Sequence, residues 1–230
     1  MIFVGIDDTD TLDTPGTNQL ARALAARVAH RCPCVRIIRH QLLEDPRVPC
    51  TSKNGSASLL FESEHPDDVE FLIRECRAGM RDWFVEGSDP GLCVAPAVSN
   101  DIMNFGRTCQ HELVDQRVAR AVASKHDIFL EGLGGTEGGV IGALAAVGLA
   151  AGENDGRVVQ IGRWPDDLSG PQEIPTLHER RVEVRRLDTD EPLTSGTVDV
   201  GKHLRPNLRQ GRTVLFVEPE NSFWKAVRLK

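Results

Sequence analysis

Three carboxylates stand within four residues, Asp7, Asp8 and Asp10, at the end of the apolar run Ile2-Phe3-Val4-Gly5-Ile6. No basic side chain lies among them. Acids this close repel one another unless a cation or hydrogen-bond donors hold them together. Mg²⁺ is the usual cation for such an oxygen cluster, and it usually arrives with substrate phosphates. Asp7 and Asp8 therefore read as catalytic candidates, and Asp7, Asp8 and Asp10 as Mg²⁺ ligands. The structural alternative is an Asx turn in which Asp10 or Asp13 caps the next helix, although one cap does not need three acids. Along an extended chain Asp8 and Asp10 share a face.

Other residues could complete such a site. Gly16-Thr17-Asn18 open the next helix, where free backbone N–H groups can hold phosphate oxygens. Thr17 could cap that helix, donate to a phosphate or accept a phosphoryl group. In the polar segment from Pro49 to Ser56, Lys53 could neutralise phosphate charge, while Asn54-Gly55 reads equally as a hairpin turn. The glycine-rich loop from Gly132 ends at Gly138-Gly139 and leads into the small-residue helix Val140 to Ala150. Its N–H groups could cradle phosphates, but the Lys-Ser/Thr of a P-loop is missing. Gly142 and Gly148 are better explained by close helix packing. His40, His65, His111 and His126 show no metal-ligand spacing, and no nucleophile elbow is present.

The elements that must carry these residues follow from periodicity. Residues 2–6, 34–42, 56–61 and 91–95 read as strands. A helix begins near Thr14-Pro15 with Leu20, Ala21, Leu24, Ala25 and Val28 on one face. A second begins near His65 with Val69, Leu72, Ile73 and Cys76. The order βαββαβ is that of a ferredoxin-like split unit. Beyond it come a helix over 112–124, the Val140 helix, and strands at 157–161, 181–187, 213–217 and 225–229. Residues 166–175 read as a polar loop. The expected fold class is α/β in the α+β sense. A ferredoxin-like half spans 1–97, and a second α/β half spanning 98–230 packs against it.

Composition bounds the partners. The chain has 230 residues, 40% hydrophobic and 27% charged, with a net charge of −7. That balance argues against DNA and against non-specific nucleic-acid binding, without excluding a local basic groove. No run approaches the roughly 20 apolar residues that span a bilayer, and no signal peptide is evident, so a cytoplasmic protein is expected. The six cysteines fit no zinc pattern and read as free, mostly buried thiols.

Three separated motifs then agree. Gly5-Ile6-Asp7-Asp8-Thr9-Asp10, Arg36-Ile37-Ile38-Arg39 through Lys53-Asn54-Gly55-Ser56-Ala57, and Gly139-Val140-Ile141-Gly142-Ala143-Leu144-Ala145-Ala146-Val147-Gly148 together resemble the N-terminal half of archaeal tRNA-isoleucine 2-agmatinylcytidine synthetase. The resemblance implies an ATP- and Mg²⁺-dependent kinase or synthetase, which activates the wobble cytidine by phosphorylation before agmatine displaces the phosphate. It implies that Asp7, Asp8 and Asp10 belong to the ATP/Mg²⁺ site; on that reading Asn18, Lys53, Asn54, Gly138 and Gly139 are the candidate ATP contacts. Thr17 falls where that family has its autophosphorylated threonine, although the surrounding Met-Cys-Thr-Thr run is absent. Thr136-Glu137 stands where the family carries Lys/Arg-rich residues. The family's OB-fold and zinc ribbon have no counterpart here, so the expected acceptor is a smaller or different molecule, with tRNA as the other choice. A homodimer is possible. Two rival readings are a non-catalytic nucleotide-binding module and a haloacid-dehalogenase-type phosphatase. The latter is suggested by Asp8-x-Asp10, but Leu12 stands where Thr or Val is usual.

Overall fold

In the computed structural model, residues 1–9, 16–48, 50 and 53–229 are described. The chain divides into two compact units, Met1–Gly152 and Glu153–Lys230.

The first unit is built on five strands, β1 (Ile2–Asp7), β2 (Cys34–Gln41), β3 (Gly55–Phe61), β4 (Gly91–Ala95) and β5 (Phe129–Gly132). Their order is β5-β4-β1-β3-β2, and every pairing among them is antiparallel. Helices α1 (Thr17–Val28) and α2 (Asp68–Asp82) complete the βαββαβ order, so β4-β1-β3-β2 is the expected ferredoxin-like sheet. Three further helices follow, α3 (Asn100–Thr108), α4 (Gln116–Lys125) and α5 (Val140–Ala151). Helices α3 and α4 pack on α5, which itself packs on β1, β3 and β4. The expected division at 97/98 therefore falls inside this unit.

Alternation along the strands sorts the two faces of the sheet. Ile2, Val4 and Ile6 are buried on one face, the side of α1 and α2. Phe3, Gly5 and Asp7 lie on the other, against α5. A Cβ on Gly5 would stand 1.9 Å from the carbonyl oxygen of Ala143, so strand and helix backbones touch. Helix α5 is apolar all round, and Val140 and Gly142 through Ala150 are buried. Such a helix is stable only at the centre of a packed layer. Gly148 does the same work on its far side, where an added Cβ would meet the Ile102 carbonyl oxygen at 2.1 Å.

The β2–β3 connection differs from expectation. Gln41 pairs with Gly55, so residues 42–54 join the strands and Asn54-Gly55 is not a two-residue turn. Gly55 is the first residue of β3, and an added Cβ would press on the His40 carbonyl at 2.9 Å.

Asp68, at the start of α2, ties the chain before it to the turn after α1. Its carboxylate accepts from the N–H groups of His65 (2.9 Å) and Glu64 (3.0 Å), the Ser63 hydroxyl (3.1 Å) and Arg31 Nε (2.8 Å). The His65 N–H foremost, with Arg31 and the other donors, holds this buried carboxyl well below the usual carboxylate range. A depressed folded-state pKa stabilises the fold above the unfolded value of about 3.9 and is lost as pH falls through the folded one. Asp68→Asn is therefore expected to lower Tm at pH 7, with the gap to the wild type narrowing progressively below about pH 4. Paired melts at pH 7 and pH 3 check this: the gap should narrow at pH 3 without closing, and an undiminished gap assigns the effect to packing.

The second unit is almost all β: β6 (Arg157–Ile161), β7 (Trp164–Pro165), β8 (Pro171–Glu173), β9 (Glu183–Arg186), β10 (Pro192–Leu193), β11 (Thr197–Asp199), β12 (Asn207–Arg209), β13 (Arg212–Glu220) and β14 (Phe223–Ala226). Its helix is the short α6 (Ile174–Glu179), opened by Pro175 where a loop was expected. Strand β13 pairs with β12 and β14 antiparallel and with β9 parallel. The turn between β12 and β13 is Gln210-Gly211, both at positive φ (50° and 72°), the twist that a tight hairpin requires. With helices and antiparallel strands in the first unit and this β-rich second one, the chain is α+β. No helix among the described residues is long and apolar enough to cross a membrane.

Candidate active site

A cleft of about 260 Å³ opens in the first unit where β1 ends. Asp7 closes β1 opposite Gly91 of β4, and its carboxylate points at the first turn of α5. A Cβ on Gly142 would stand 1.8 Å from Asp7 Oδ2, so the absent side chain is what admits the carboxylate. Close to a helix N-terminus, an anion is held by the free N–H groups and the helix dipole. The chain then turns sharply. Asp8 sits at φ 50°, in the left-handed region that Asp tolerates better than most residues. The extended geometry that would put Asp8 and Asp10 on one face is therefore broken at Asp8; Asp10 itself lies outside the described residues.

Other candidates collect around the same opening. Thr17, Lys53, Asn54, Gly138 and Gly139 line it together with Asp7 and Asp8. Thr17 is the first residue of α1, whose N-cap, Gly16, offers no side-chain cap. Thr17 is not the capping residue, and its hydroxyl accepts from Thr9 Oγ1 at 3.2 Å. Asn18 does not line the cleft, and its Oδ1 is buried with no partner among the described residues. Lys53 is exposed, 3.9 Å from Glu44. Asn54 spends its side-chain amide on the Leu43 carbonyl (2.8 Å) and its own carbonyl on Leu42 N–H (3.0 Å). It shapes the wall and keeps few donors for a ligand. Gly139 lies against strand backbone: a Cβ there would meet Asp89 O at 2.4 Å and Gly91 N at 2.6 Å.

Two lining residues carry no obvious motif in the sequence. Asp89 is the anchor of the glycine-rich loop. Its carboxylate accepts from Thr136 N–H (2.7 Å) and Thr136 Oγ1 (2.5 Å), and its carbonyl accepts from Gly139 N–H (2.9 Å). Ser88-Asp89-Pro90-Gly91 reads as an ordinary turn before a strand, and its partner lies 47 residues away. Asp89→Ala is expected to cost roughly 1–2 kcal/mol of stability. Amide exchange should accelerate at Thr136 and Gly139 while the β1 amides stay protected; unchanged exchange would show that the loop holds itself. Arg47 is the other. It forms a fork on Asp45 (2.8 Å at both nitrogens), which lowers the Asp45 carboxyl to about 2.

The remaining wall is apolar, with Leu42, Leu43, Val48, Leu113, Val114 and Ile141. Cys109 also reaches the cleft, but burial, with the Asp7 charge adding to it, pushes its thiol up to about 12. It stays protonated and is no nucleophile at neutral pH. Among the described residues no group of three His, Cys, Asp or Glu side chains could hold a metal by itself. The cleft thus offers a carboxylate pair, two helix N-termini, two cations and an apolar slot.

The tRNA fluorescent labeling enzyme aligns with a TM-score of 0.56 and 27% identity, over 64% of this chain and 35% of that one. TiaS, a tRNAIle2 agmatidine synthetase, aligns in its complex with tRNA(Ile2) and ATP at TM-score 0.54 and 26% identity, over 64% of this chain and 36% of that one.

The chain resembles TiaS.

A third structure, TiaS with tRNA(Ile2), AMPCPP and agmatine, gives TM-score 0.54 and 25% identity. The matched part is about a third of the length of each TiaS chain. No protein-family model and no curated protein sequence matches the chain. The resemblance to TiaS therefore rests on structure and on the three motifs together.

Proposed function

We propose that the cleft binds ATP with Mg²⁺ and activates an acceptor by phosphoryl transfer. One observation carries the reading: a single cleft gathers Asp7, Asp8, Thr17, Lys53, Gly138 and Gly139 from four separate stretches of chain beside an apolar wall. The residues fit Mg²⁺ as it is used with nucleotides, held by one or two carboxylates plus substrate phosphates rather than by a protein cage. Asp7 and Asp8 would hold it, with Asp10 as a third candidate, and it would supply charge neutralisation on the phosphates. The chain's own groups do the rest. The N–H groups at the start of α5 receive phosphate oxygens, Lys53 and Arg47 balance their charge, and Leu42, Leu43, Val114 and Ile141 take the base. Thr17, oriented by Thr9, is the candidate phosphoryl acceptor or phosphate contact. Catalysis of this kind is positioning and electrostatics, with little covalent work for the protein.

TiaS structures hold ATP or its analogue, tRNA(Ile2) and agmatine, which supports a nucleotide and an RNA-related acceptor. A net charge of −7 favours an acceptor smaller than a whole tRNA, since non-specific backbone binding needs a basic surface.

Cys50 gives a direct test. It is exposed on the cleft wall, whereas Cys32, Cys76, Cys93 and Cys109 are buried and burial pushes their thiols up. Iodoacetamide is expected to label Cys50 first, and ATP with Mg²⁺ to slow that labelling about tenfold at saturation. Labelling at an unchanged rate under saturating ATP and Mg²⁺ would remove the nucleotide from this cleft.

A further inference from the structure

The second unit contains a cavity of about 330 Å³ between the turn after β11, the loop before β12, and β14 with the residues after it. Its charged lining is Arg205, Lys225 and Arg228 against one carboxylate, Asp199, with His203 at the rim. The carboxylate is committed: Asp199 Oδ1 accepts from Gly201 N–H at 2.8 Å. Lys225 is shared with Glu220 at 2.9 Å. Arg205 and Arg228 make no ion pair with any described residue.

Arg205 is the unusual member. It is half-buried, its Nε is shielded from solvent, and that atom has no hydrogen-bond partner among the described residues. Buried donors are almost always paired, so an orphaned guanidinium N–H calls for an explanation. The backbone around it is fixed. Leu204 N–H donates to Leu168 O (2.8 Å), Val158 N–H donates to Pro206 O (2.8 Å), and Leu204 and Pro206 are buried. The far wall is pinned as well, with Val227 N–H on Phe216 O at 2.9 Å. The guanidinium is thus presented to the cavity by a frame that no ligand has to build.

We infer that this cavity is a phosphomonoester site. Guanidinium forks match the oxygens of a phosphate, and a monoester carries about −1.5 to −2 charge at neutral pH, which two uncommitted arginines balance. At about 330 Å³ the space is far above the roughly 10–15 Å³ that admits a single water, more than a bare oxyanion requires. Val200, Leu215 and Val227 supply an apolar side for the group that carries the phosphate. That group belongs either to a small organic phosphate or to the terminal phosphate of an RNA strand.

The test follows the Arg205 Nε–Hε resonance in the ¹⁵N-labelled full chain. The probes are inorganic phosphate, ribose 5-phosphate, and a short RNA with and without a 5′-phosphate. A saturable shift with the phosphomonoesters is expected, and Arg205→Gln and Arg228→Gln should each weaken binding about tenfold or more. Arg117→Gln, an exposed arginine of the first unit, should leave binding unchanged, and the shifts should persist in Asp8→Asn. Tighter binding of the 5′-phosphorylated RNA than of ribose 5-phosphate names the RNA end as the source; the reverse order names the small ester. A resonance unmoved by every probe at millimolar concentration overturns the site. So does equal weakening by Arg117→Gln, or loss of the shifts in Asp8→Asn. If Arg205→Gln does not fold, the wild-type resonance and Arg228→Gln decide.

Discussion

Asp8→Asn is expected to raise the Kd for ATP in the presence of Mg²⁺ about a hundredfold, or ~2.8 kcal/mol at 1.4 kcal/mol per factor of ten. Without Mg²⁺ the same variant should bind ATP as well as the wild type or better, because one negative charge facing the phosphates is gone. The opposite signs are the informative part. A residue that merely shapes the cleft would weaken both measurements alike. The left-handed backbone at Asp8 (φ 50°) suits Asn as well as Asp, so the fold should tolerate the change. Titration calorimetry of both proteins with and without Mg²⁺ checks it, and equal affinities in all four cases would take Asp8 out of the site.

The second large effect separates architecture from chemistry through two glycines on one seam. In Gly5→Ala the new Cβ would lie 1.9 Å from the Ala143 carbonyl oxygen, a backbone atom that moves only if β1 and α5 part. Overpacking of this kind costs typically 1–3 kcal/mol and sometimes more; with backbone on both sides, about 3 kcal/mol or above is expected. In Gly142→Ala the clash is with the Asp7 side chain and not with backbone, at 1.8 Å from Oδ2, 2.5 Å from Cγ and 3.0 Å from Cβ. The carboxylate swings away, and the better helix propensity of Ala, up to about 1 kcal/mol, offsets part of the crowding. Gly142→Ala should therefore keep near-wild-type stability in urea while losing about tenfold or more in Mg²⁺-dependent ATP affinity. If both variants lose stability equally, Asp7 is held too firmly to move, and the seam is structural along its whole length.

The two glycines also show how much of the molecule is legible in its sequence. Strand β4 is found where alternation and apolar content put it, at Gly91–Ala95, and α5 begins at the expected Val140. Helix α3 is not, because Asn100–Thr108 is short and contains Gly106, which reads against a helix. In the fold that glycine is the reason α3 can sit on α5: an added Cβ would be 2.8 Å from Ala145 O. A residue chosen for contact is thus misread as one chosen for flexibility. Asn54-Gly55 fails for a similar reason. The pair is a strong hairpin signal, but Asn54 is consumed by Leu43, and Gly55 is already in β3, paired with Gln41. Of the candidate site, Asp7, Asp8 and the Gly138-Gly139 helix start were legible because strand ends and helix starts leave a local imprint. Asp89 and the apolar wall were not, since their meaning depends on partners far away in the chain.

The backbone contact between β1 and α5 has a kinetic consequence. Where helix and strand touch through Gly5 and Ala143, no side-chain rotamer lies between them to absorb a displacement. The floor of the cleft is consequently a stiff part, and binding cannot proceed by sliding α5 over the sheet. Whatever motion admits and releases ligand falls to the rim, as at the loop hooked by Asp89. Loops in general move on the nanosecond-to-microsecond scale, whereas displacement of packed elements takes microseconds to milliseconds. Exchange of ligand at this cleft should therefore keep the pace of its rim, and slow turnover, if observed, belongs to a chemical step or to product release and not to reshaping of the floor.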